Sequence, residues 1–286
     1  MTIDLVVPYV DNNDIVWQQT YIQYFLKKDY KQIAALRSRR YEDIGLINYQ
    51  LKLIEKNMPF INNIFLLVSN IEQVPQGISD KVKVVLHKDF IPQKYLPTFN
   101  STTIEMFLHN IEGLSEYFIY ANDDMLPIRP MEEEDFFHNG KIKMSFKKES
   151  LAECETTFRH QCMNSYNLCR KIFGLNPSLD IYFKPFHTMT PMIKQHNELI
   201  IKNYGEKIFP NIRAYRTDEQ YNQYIYPLYE FIGGTSLQSQ LEFLYTELQD
   251  INDIENLGHY DIVCINIVPN DKVAKALIRK LEELCK

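Results

Sequence analysis

Several kinds of residue and segment are scarce in this chain of 286 residues, and each shortage excludes a class of protein. Glycine and proline, at 9 and 13 residues, are too few for a collagen-like or linker-rich chain. Cysteine occurs 5 times, an odd number without a Cys-x-x-Cys pair, which argues against a disulfide framework or a zinc knuckle and fits a reducing cytoplasm. The 31 basic residues are outnumbered by 37 acidic ones, so we predict that the protein does not bind nucleic acid.

Long apolar segments are missing as well. No window approaches the roughly 20 consecutive apolar residues that span a bilayer. The first residues, Met1 to Leu5, include an acid and lack a basic segment, so an ordinary secretory signal is not expected. Apolar residues make up 45% and charged residues 24% of the chain, a composition typical of globular proteins. We therefore predict a cytoplasmic protein without a transmembrane segment.

Aromatic residues, in contrast, are abundant. The chain contains 19 Tyr, 17 Phe and a single Trp, which together make up 13% of its residues. Tyrosine combines an apolar ring with a hydroxyl, so this number suggests a core and clefts that carry many hydrogen-bonding groups. It does not by itself indicate a function.

Apolar runs that alternate with helical patterns predict an α/β domain with a mostly parallel, Rossmann-like sheet. Predicted strands cover residues 3–10, 64–68, 82–86, 117–121 and 261–268. Predicted helices cover residues 17–28, about 47–55, 104–111 behind a capping box of Thr102 and Glu105, 237–248 and 273–284. Residues 147–235 are rich in Tyr and Phe with weak periodicity, and we interpret them as a helix- and loop-rich insertion. A single α/β domain over residues 1–286 is the simplest account.

The strongest local signal is Asn122-Asp123-Asp124, directly after the predicted strand of residues 117–121. Two adjacent carboxylates at the end of a buried strand are costly unless a cation offsets their charge. A divalent metal that carries a diphosphate is one such partner. The alternative is an ordinary surface turn, in which Asn and Asp are common.

Other candidates are single residues or small charged groups. His187 stands in Phe-His-Thr-Met-Thr-Pro, and a lone histidine is more often structural than catalytic. Arg213 and Arg216 precede Asp218 and Glu219; arginine suits bidentate contacts with phosphate, although a solvated charge cluster is the simpler interpretation. We interpret two further groups as structural: His87-Lys88-Asp89 and the cluster of Cys154, His160, Cys162 and Cys169.

These segments form four blocks in a fixed order. They are residues 3–14, residues 40–124, the surroundings of His187, and residues 216–220, and a later stretch contains Cys264 and Asn266. Within the second block, Leu-Pro-Thr-Phe-Asn-Ser, then Ile-Glu, then Phe-Ile-Tyr-Ala-Asn-Asp-Asp make a specific succession. This order resembles the Stealth family of hexose-1-phosphate transferases, which includes bacterial capsule and cell-wall polysaccharide enzymes and the animal N-acetylglucosamine-1-phosphotransferase that marks lysosomal enzymes.

The chain departs from the family pattern at a few places. Asn48 stands where the family usually has Arg, Tyr9 where it often has Trp, and Ile267 where it usually has Asp. The spacing after the arginine of the fourth block is about one residue shorter than usual, so either Asp218 or Glu219 takes the family's acidic position. These changes leave the core set of residues intact and are expected to bear on nucleotide or sugar preference.

The resemblance implies transfer of a sugar-1-phosphate from a UDP-sugar to a hydroxyl of a glycan acceptor, with UMP released and a phosphodiester formed. Asp123 and Asp124 are then expected to hold Mg²⁺ or Mn²⁺ against the diphosphate. Arg216 is expected to stabilise charge on the transferred phosphoryl oxygens. His187 is expected to act as the general base for the acceptor hydroxyl, or as a nucleophile that forms a phosphohistidine.

The same resemblance extends to the substrates. The substrate-binding residues that it implies are Asp11, Asn12, Arg40, Asn100, Ser101, Asn122, Asp218 and Asn266. The loop at 11–14 is expected to bind uridine or ribose, and several tyrosines either line a groove for sugar rings or simply pack. A lipid-linked acceptor would bring the protein to the inner face of the cell membrane. A metal-dependent glycosyltransferase that releases UDP and a non-catalytic glycan-binding protein are the alternatives.

Overall fold

The computed structural model describes residues 1–26, 44–150, 152 and 156–286. Its strands, numbered along the chain, are β1 (Ile3–Pro8), β2 (Ile61–Val68), β3 (Val82–Leu86), β4 (Tyr117–Tyr120), β5 (Met125–Pro127), β6 (Phe137–His138), β7 (Lys141–Ile142), β8 (Phe146–Ser150), β9 (Ile181–Pro185), β10 (Thr190–Ile193), β11 (Phe243–Glu247) and β12 (Ile262–Ile267). Its helices are α1 (Ile15–Leu26), α2 (Leu46–Asn57), α3 (His87–Phe90), α4 (Ser101–Glu105), α5 (Glu133–Phe136), α6 (Thr157–Ile172), α7 (Lys194–Ile208), α8 (Ile225–Ile232), α9 (Asn252–Glu255) and α10 (Asp271–Leu284). Within these residues, no helix is long and apolar enough to cross a bilayer.

The central sheet has five strands in the order β10-β4-β1-β2-β3. Neighbours among β4, β1, β2 and β3 run parallel, and β10 runs antiparallel to β4. These strands form from short, continuous apolar runs, which are typical of parallel strands covered on both faces. In β1, for example, every residue except the last is buried. The predicted α/β fold with a mostly parallel sheet is therefore confirmed.

One edge of this sheet collects the ends of its parallel strands. β1 ends there at Pro8, β2 at Val68, β3 at Leu86 and β4 at Tyr120. β10 begins at the same place because it runs in the opposite direction, so that Thr190 pairs with Tyr120. We call this side of the sheet the carboxyl edge. Open α/β sheets bind ligands beyond the carboxyl ends of their strands.

A second, three-stranded sheet begins next to the carboxyl edge. β4 leads through residues 121–124 into β5, which pairs antiparallel with β12, and β12 pairs parallel with β11. Helix α2 holds β5 in place from one side. The Gln50 side-chain amide donates to the Met125 carbonyl at 2.7 Å, and that of Asn57 donates to the Pro127 carbonyl at 2.8 Å. The connection between the two sheets is thus fixed by hydrogen bonds at both ends of β5.

Each face of the central sheet has its own hydrophobic cover. Side chains alternate between the faces, so Val6 packs in one cluster while Leu5 and Val7 pack in the other. Helix α2 covers the second of these faces. The segment of residues 147–235 covers the first with α6, α7, α8 and the β8–β9 pair, and returns to the sheet as β10. Cys162 and Cys169 of α6 are buried there, as expected for core cysteines, whereas Cys154 lies outside the described residues.

Two predicted helices are wrong. Residues 237–248 contain the strand β11, which pairs along its length with β12. Its sequence, Phe-Leu-Tyr-Thr-Glu, has the aromatic and β-branched residues that suit a strand. Pairing with β12 therefore outweighs the helical spacing of the leucines. In place of the helix predicted for 104–111, the structure has the short helix α4, which ends at Glu105. Asn100, rather than Thr102, caps this helix by accepting from the Thr102 N–H. The apolar stripe is still buried, because a 3₁₀ turn at Leu108–Asn110 continues the chain inward.

Candidate active site

Polar side chains from distant parts of the chain meet at the carboxyl edge. Asn122, Asp123 and Asp124 follow β4, and His187 stands just before β10. Because β10 runs antiparallel to β4, its start lies beside the end of β4, and His187 is brought to Asn122. Arg216, in the loop before α8, is close enough to His187 to influence the pKa of its ring. The fold therefore brings together all four residues that the sequence predicted to be catalytic.

Asp124 has a carboxylate oxygen in an unusual environment. Its Oδ1 atom is buried and has no hydrogen-bond partner among the residues that the structure describes. Burial raises the pKa of Asp124 to about 6, and a hydrogen bond with the Cys264 side chain offsets part of this effect. A buried acceptor oxygen without a partner in the protein is available to a water molecule, an ion or a ligand.

Two further side chains that can bind a metal lie close to the Asp124 carboxylate. One ligand atom each from Asp124, His187 and Cys264 lie within 4.8 Å of one another. Carboxylate oxygen, imidazole nitrogen and thiolate sulfur are all ligands of divalent metals, and Asp123 adds a second carboxylate next in sequence. The unpartnered Oδ1 of Asp124 and this set of donors fit a divalent cation. The cluster is therefore a candidate metal site.

His187 is held between two polar partners. Its Nδ1 atom lies 2.9 Å from the Tyr224 hydroxyl, and its Nε2 atom lies 3.4 Å from Asn122 Nδ2. An amide NH₂ group only donates, so Nε2 accepts from Asn122, and Nδ1 carries the ring proton and donates to Tyr224. Burial and the nearby positive charges of Lys184 and Arg216 lower the pKa of His187 to about 4. At neutral pH the ring is neutral with its lone pair on Nε2, which is the form that a general base requires.

Arg216 brings a permanent positive charge to the same place. Its Nη2 atom donates to the Ser101 hydroxyl at 2.7 Å. The loop that carries Arg216 is fixed to the start of α4, because Asn100 Nδ2 donates to the Arg213 carbonyl at 3.2 Å. The Arg213 guanidinium itself is exposed and donates to carbonyls of its own loop. Of the two arginines, Arg216 is the one that faces the site.

Comparisons with known proteins agree with the sequence pattern. A family model described as Stealth protein CR2, conserved region 2, matches residues 40–145. The capsular polysaccharide phosphotransferase cps1A of Actinobacillus pleuropneumoniae is 31% identical over 251 residues, which cover 82% of this chain and 67% of that protein. The capsular polysaccharide phosphotransferase LcbA of Aeromonas hydrophila is 30% identical over 83% of this chain and 68% of its own length. The chain belongs to the Stealth family.

Membership in the Stealth family confirms the resemblance predicted from the sequence. A further relative, the capsular polysaccharide phosphotransferase LcbA of Neisseria meningitidis, is 30% identical over 82% of this chain. The chain spans about two thirds of the length of these relatives, 66% in that case. Among solved structures, the galactosyltransferase LgtC in complex with donor and acceptor sugar analogues aligns with 99% of this chain and 95% of its own at a TM-score of 0.41 and 10% identity. A superposition of this quality carries no information about substrate.

Two of the predicted substrate-binding residues of this Stealth protein contact the candidate catalytic residues directly: Ser101 accepts from Arg216, and Asn122 donates to His187. Asn100 is used differently. It is almost completely buried, and its amide donates to Gln220 Oε1 at 3.1 Å as well as to the neighbouring loop. Its hydrogen bonds shape the loop that presents Arg216.

The remaining predicted substrate-binding residues lie in loops. Asp11, after β1, accepts from the Asn13 N–H at 2.8 Å, an Asx turn that orders the loop in which Asn12 stands. Asn266 is exposed at the end of β12. Asp218 is exposed, with its carboxylate 3.5 Å from His160, and neighbouring Glu219 is exposed too. Arg40 lies outside the described residues.

The structure adds three residues to which the sequence had given no role in this site. Tyr224 contacts His187, Cys264 contacts Asp124, and buried Glu105 lies close to Arg216. Cys264 and Glu105 do fall within blocks that resemble the family, and Tyr224 follows the fourth block closely. None of the three has a local pattern that reveals its partner, because each partner is far away in the sequence.

Proposed function

We propose that this protein transfers a sugar-1-phosphate from a UDP-sugar to a hydroxyl of a glycan acceptor, in capsular or cell-surface polysaccharide biosynthesis. The reaction would form a phosphodiester and release UMP. The observation that carries the proposal is the convergence of Asp124, His187 and Arg216, from three separate blocks of the sequence, at one edge of the sheet. The names of the relatives, capsular polysaccharide phosphotransferases, support the class of reaction.

The donor's diphosphate is anionic and repels an oxygen nucleophile until its charge is neutralised. A bound Mg²⁺ or Mn²⁺ would supply that neutralisation. Both cations prefer oxygen ligands, so we assign their binding to Asp124, through its unpartnered Oδ1, and to Asp123. This assignment keeps the Nε2 atom of His187 out of the set of metal ligands, and the acceptor hydroxyl would replace Asn122 as its hydrogen-bond partner.

His187 would take the proton from the acceptor hydroxyl as the oxygen attacks phosphorus. A new phosphorus–oxygen bond forms, the bond to the UMP oxygen breaks, and the proton passes to Nε2 and then to solvent. A pKa of about 4 is low for a base, but the negative charge of a bound diphosphate raises it in the complex. The alternative, a phosphohistidine on His187, needs two displacements and retains the configuration at phosphorus, whereas direct transfer inverts it.

Arg216 would contact the oxygens of the transferred phosphoryl group. Negative charge spreads over these oxygens in the transition state, and a guanidinium can bind two of them at once. Its fixed position at the carboxyl edge supports this role, because a charge that is already in place needs no reorganisation during the reaction.

We further propose that the acceptor is lipid-linked and that the cytoplasmic protein meets it at the inner face of the membrane. An acceptor of this kind is fixed to the bilayer surface, so liposomes that contain it should bind the protein and increase UMP release. Equal rates with a lipid-linked acceptor and with its free glycan would contradict this part of the proposal.

The released nucleotide tests the main proposal. The protein is incubated with UDP-sugars, Mg²⁺ or Mn²⁺ and a glycan acceptor, and the nucleotides are separated by chromatography. UMP supports sugar-1-phosphate transfer, UDP would indicate an ordinary glycosyltransferase, and neither nucleotide would point to a glycan-binding protein. Asp124→Ala and His187→Ala should abolish UMP release while the protein stays folded. His138→Ala, at an exposed histidine paired with Glu134, is the matched control and should keep full activity.

A further inference from the structure

A buried carboxylate lies beside Arg216. Glu105, the last residue of α4, is 2% exposed. The Tyr120 hydroxyl donates to its Oε1 at 3.2 Å, and the Gln223 N–H donates to its Oε2 at 2.9 Å. The Tyr226 hydroxyl donates to its backbone carbonyl at 3.1 Å. These contacts tie Glu105 to β4 and to the segment that leads into α8, so its carboxylate has a fixed position.

Ser101 connects this carboxylate to Arg216. Ser101 and Glu105 are four residues apart on α4 and therefore lie on one face of the helix. The Ser101 side chain hydrogen-bonds the Glu105 carboxylate, and its oxygen also accepts from Arg216 Nη2 at 2.7 Å. A guanidinium only donates and a carboxylate only accepts, whereas a hydroxyl does both. The hydrogen bonds therefore run in one direction, from Arg216 through Ser101 to Glu105.

Charge complements this geometry. Burial raises the pKa of Glu105, whereas Arg216 and the hydrogen bonds from Gln223, Ser101 and Tyr120 lower it. A buried carboxylate is costly unless it is paired and hydrogen-bonded, and Arg216 is the cation that acts on this one. A fixed anion that faces a cation also holds the cation in one orientation. A residue that binds a transferring phosphoryl group needs such a fixed orientation.

We propose that Glu105 is a positioning residue that fixes the guanidinium of Arg216, through Ser101, in the orientation that sugar-1-phosphate transfer requires. This inference rests on the proposed function, because it assigns Glu105 a part in that reaction. Glu105 acts on the reaction only through Arg216.

Replacement of the charge tests the proposal. Glu105→Gln keeps the size of the side chain and removes its charge, and we expect kcat for UMP release to fall by about tenfold to a hundredfold. KM for the donor should change by less than about threefold, because the lost interaction acts mainly in the transition state. Ser101→Ala, which keeps Glu105, should lower kcat by a smaller factor. Glu230→Gln, at another buried glutamate that pairs with His196, is the matched control and should leave kcat unchanged.

A double-mutant cycle separates positioning from general damage to the fold. In an Arg216→Ala background, Glu105→Gln should cause no further loss of kcat, because no guanidinium is left to position. Added guanidinium ion should restore activity to Arg216→Ala better when Glu105 is present than when it is Gln. An equal loss of kcat in both backgrounds would overturn the proposal, as would a Glu105→Gln variant with normal kcat. If Glu105→Gln does not fold, the same cycle with Ser101→Ala decides.

A readout without catalysis keeps this proposal distinct from the proposed function. In protein labelled with ¹⁵N-arginine, the Nε–H signal of Arg216, assigned with Arg216→Lys, should report an ordered side chain in the wild type and a mobile one in Glu105→Gln. If the wild type releases no UMP, the proposed function fails, and this signal still decides the positioning role. An Arg216 signal that is unchanged in Glu105→Gln overturns the role even in an active enzyme.

Discussion

Two aspartates of the central sheet and its carboxyl edge differ in how the hydrogen-bonding capacity of their carboxylates is satisfied. Asp4, in β1, accepts at Oδ1 from the Asn62 side chain and the Asn63 N–H, each at 3.0 Å, and at Oδ2 from the Ser115 N–H at 2.8 Å. Asp124, at the carboxyl edge, keeps Oδ1 without a partner within the described part of the chain. Both oxygens of the Asp4 carboxylate therefore have partners within the protein. The Oδ1 atom of Asp124 is left available to a bound ion or ligand.

The largest expected effect comes from Asp124→Asn. Loss of the metal-binding carboxylate should lower UMP release about a thousandfold or more. Stability should not fall. The pKa of Asp124 is raised to about 6 by burial, so its ionised form opposes folding, and the wild type loses this part of its stability as the pH rises from about 4 through 6. Thermal melting at pH 7 should give a melting temperature equal to or above that of the wild type, and a clear decrease would contradict this account of the site.

Asp4→Asn should give the opposite result. An amide has only one acceptor oxygen, so its NH₂ group faces either the Asn63 N–H or the Ser115 N–H, and one partly buried donor loses its acceptor. We expect the free energy of unfolding to fall by about 3 kcal/mol in denaturant titrations. The activity of the folded fraction should stay normal. Asp4→Asn with unchanged stability, or with selective loss of activity, would remove the distinction between the two aspartates.

The pH dependence of metal binding sharpens the same comparison. A protonated carboxyl does not bind a metal, so the dissociation constant for Mn²⁺ should rise about tenfold per pH unit below the pKa of Asp124, which is about 6, and level off above it. Electron paramagnetic resonance of free Mn²⁺ measures this directly. Asp4→Asn should show the same profile, whereas Asp124→Asn should lack it. A flat profile between pH 5 and 7 in the wild type would place the metal elsewhere.

The smallest expected effect concerns Tyr224. Tyr224→Phe removes the acceptor of the Nδ1 proton of His187, and we expect kcat to fall about fivefold, the equivalent of about 1 kcal/mol. Tyr229→Phe, in the helix α8 that begins directly after Tyr224, has its ring against Phe173; it is the control and should have normal kcat. Equal effects of the two changes would show that Tyr224 has only a packing role.

The sequence was sufficient for the parts of the fold that depend on local pattern. Continuous apolar runs predicted β1 to β4 and β12, and the stripe of Val273, Leu277 and Leu281 predicted α10, all of which are confirmed. The leucine stripe at 237–248 wrongly predicted a helix. The observed strand β11 depends on pairing with β12, about twenty residues further along the chain, and no local window of sequence contains both.

The candidate site divides in the same way. Asn122-Asp123-Asp124 follows an obvious strand, so its place at the end of a sheet was predictable. His187 and Arg216 carry no local sign of function, and the order of the family's blocks was needed to find them. Tyr224 and Glu105 make contacts that only the folded chain creates. Tyr224 lies 37 residues from its partner His187 in the sequence, and Glu105 lies 118 residues from its partner Gln223.

The reversed direction of β10 affects how such a protein can diverge. The chain leaves the central sheet after β4 and re-enters it beside the same strand, with His187 just ahead of the pairing of Thr190 with Tyr120. Insertions or deletions between β5 and β9 change the length of this excursion without changing its two anchor points. The distance between His187 and the Asp124 carboxylate is therefore set by the pairing of β10 with β4, and changes of length in the loops of the excursion leave it unaltered.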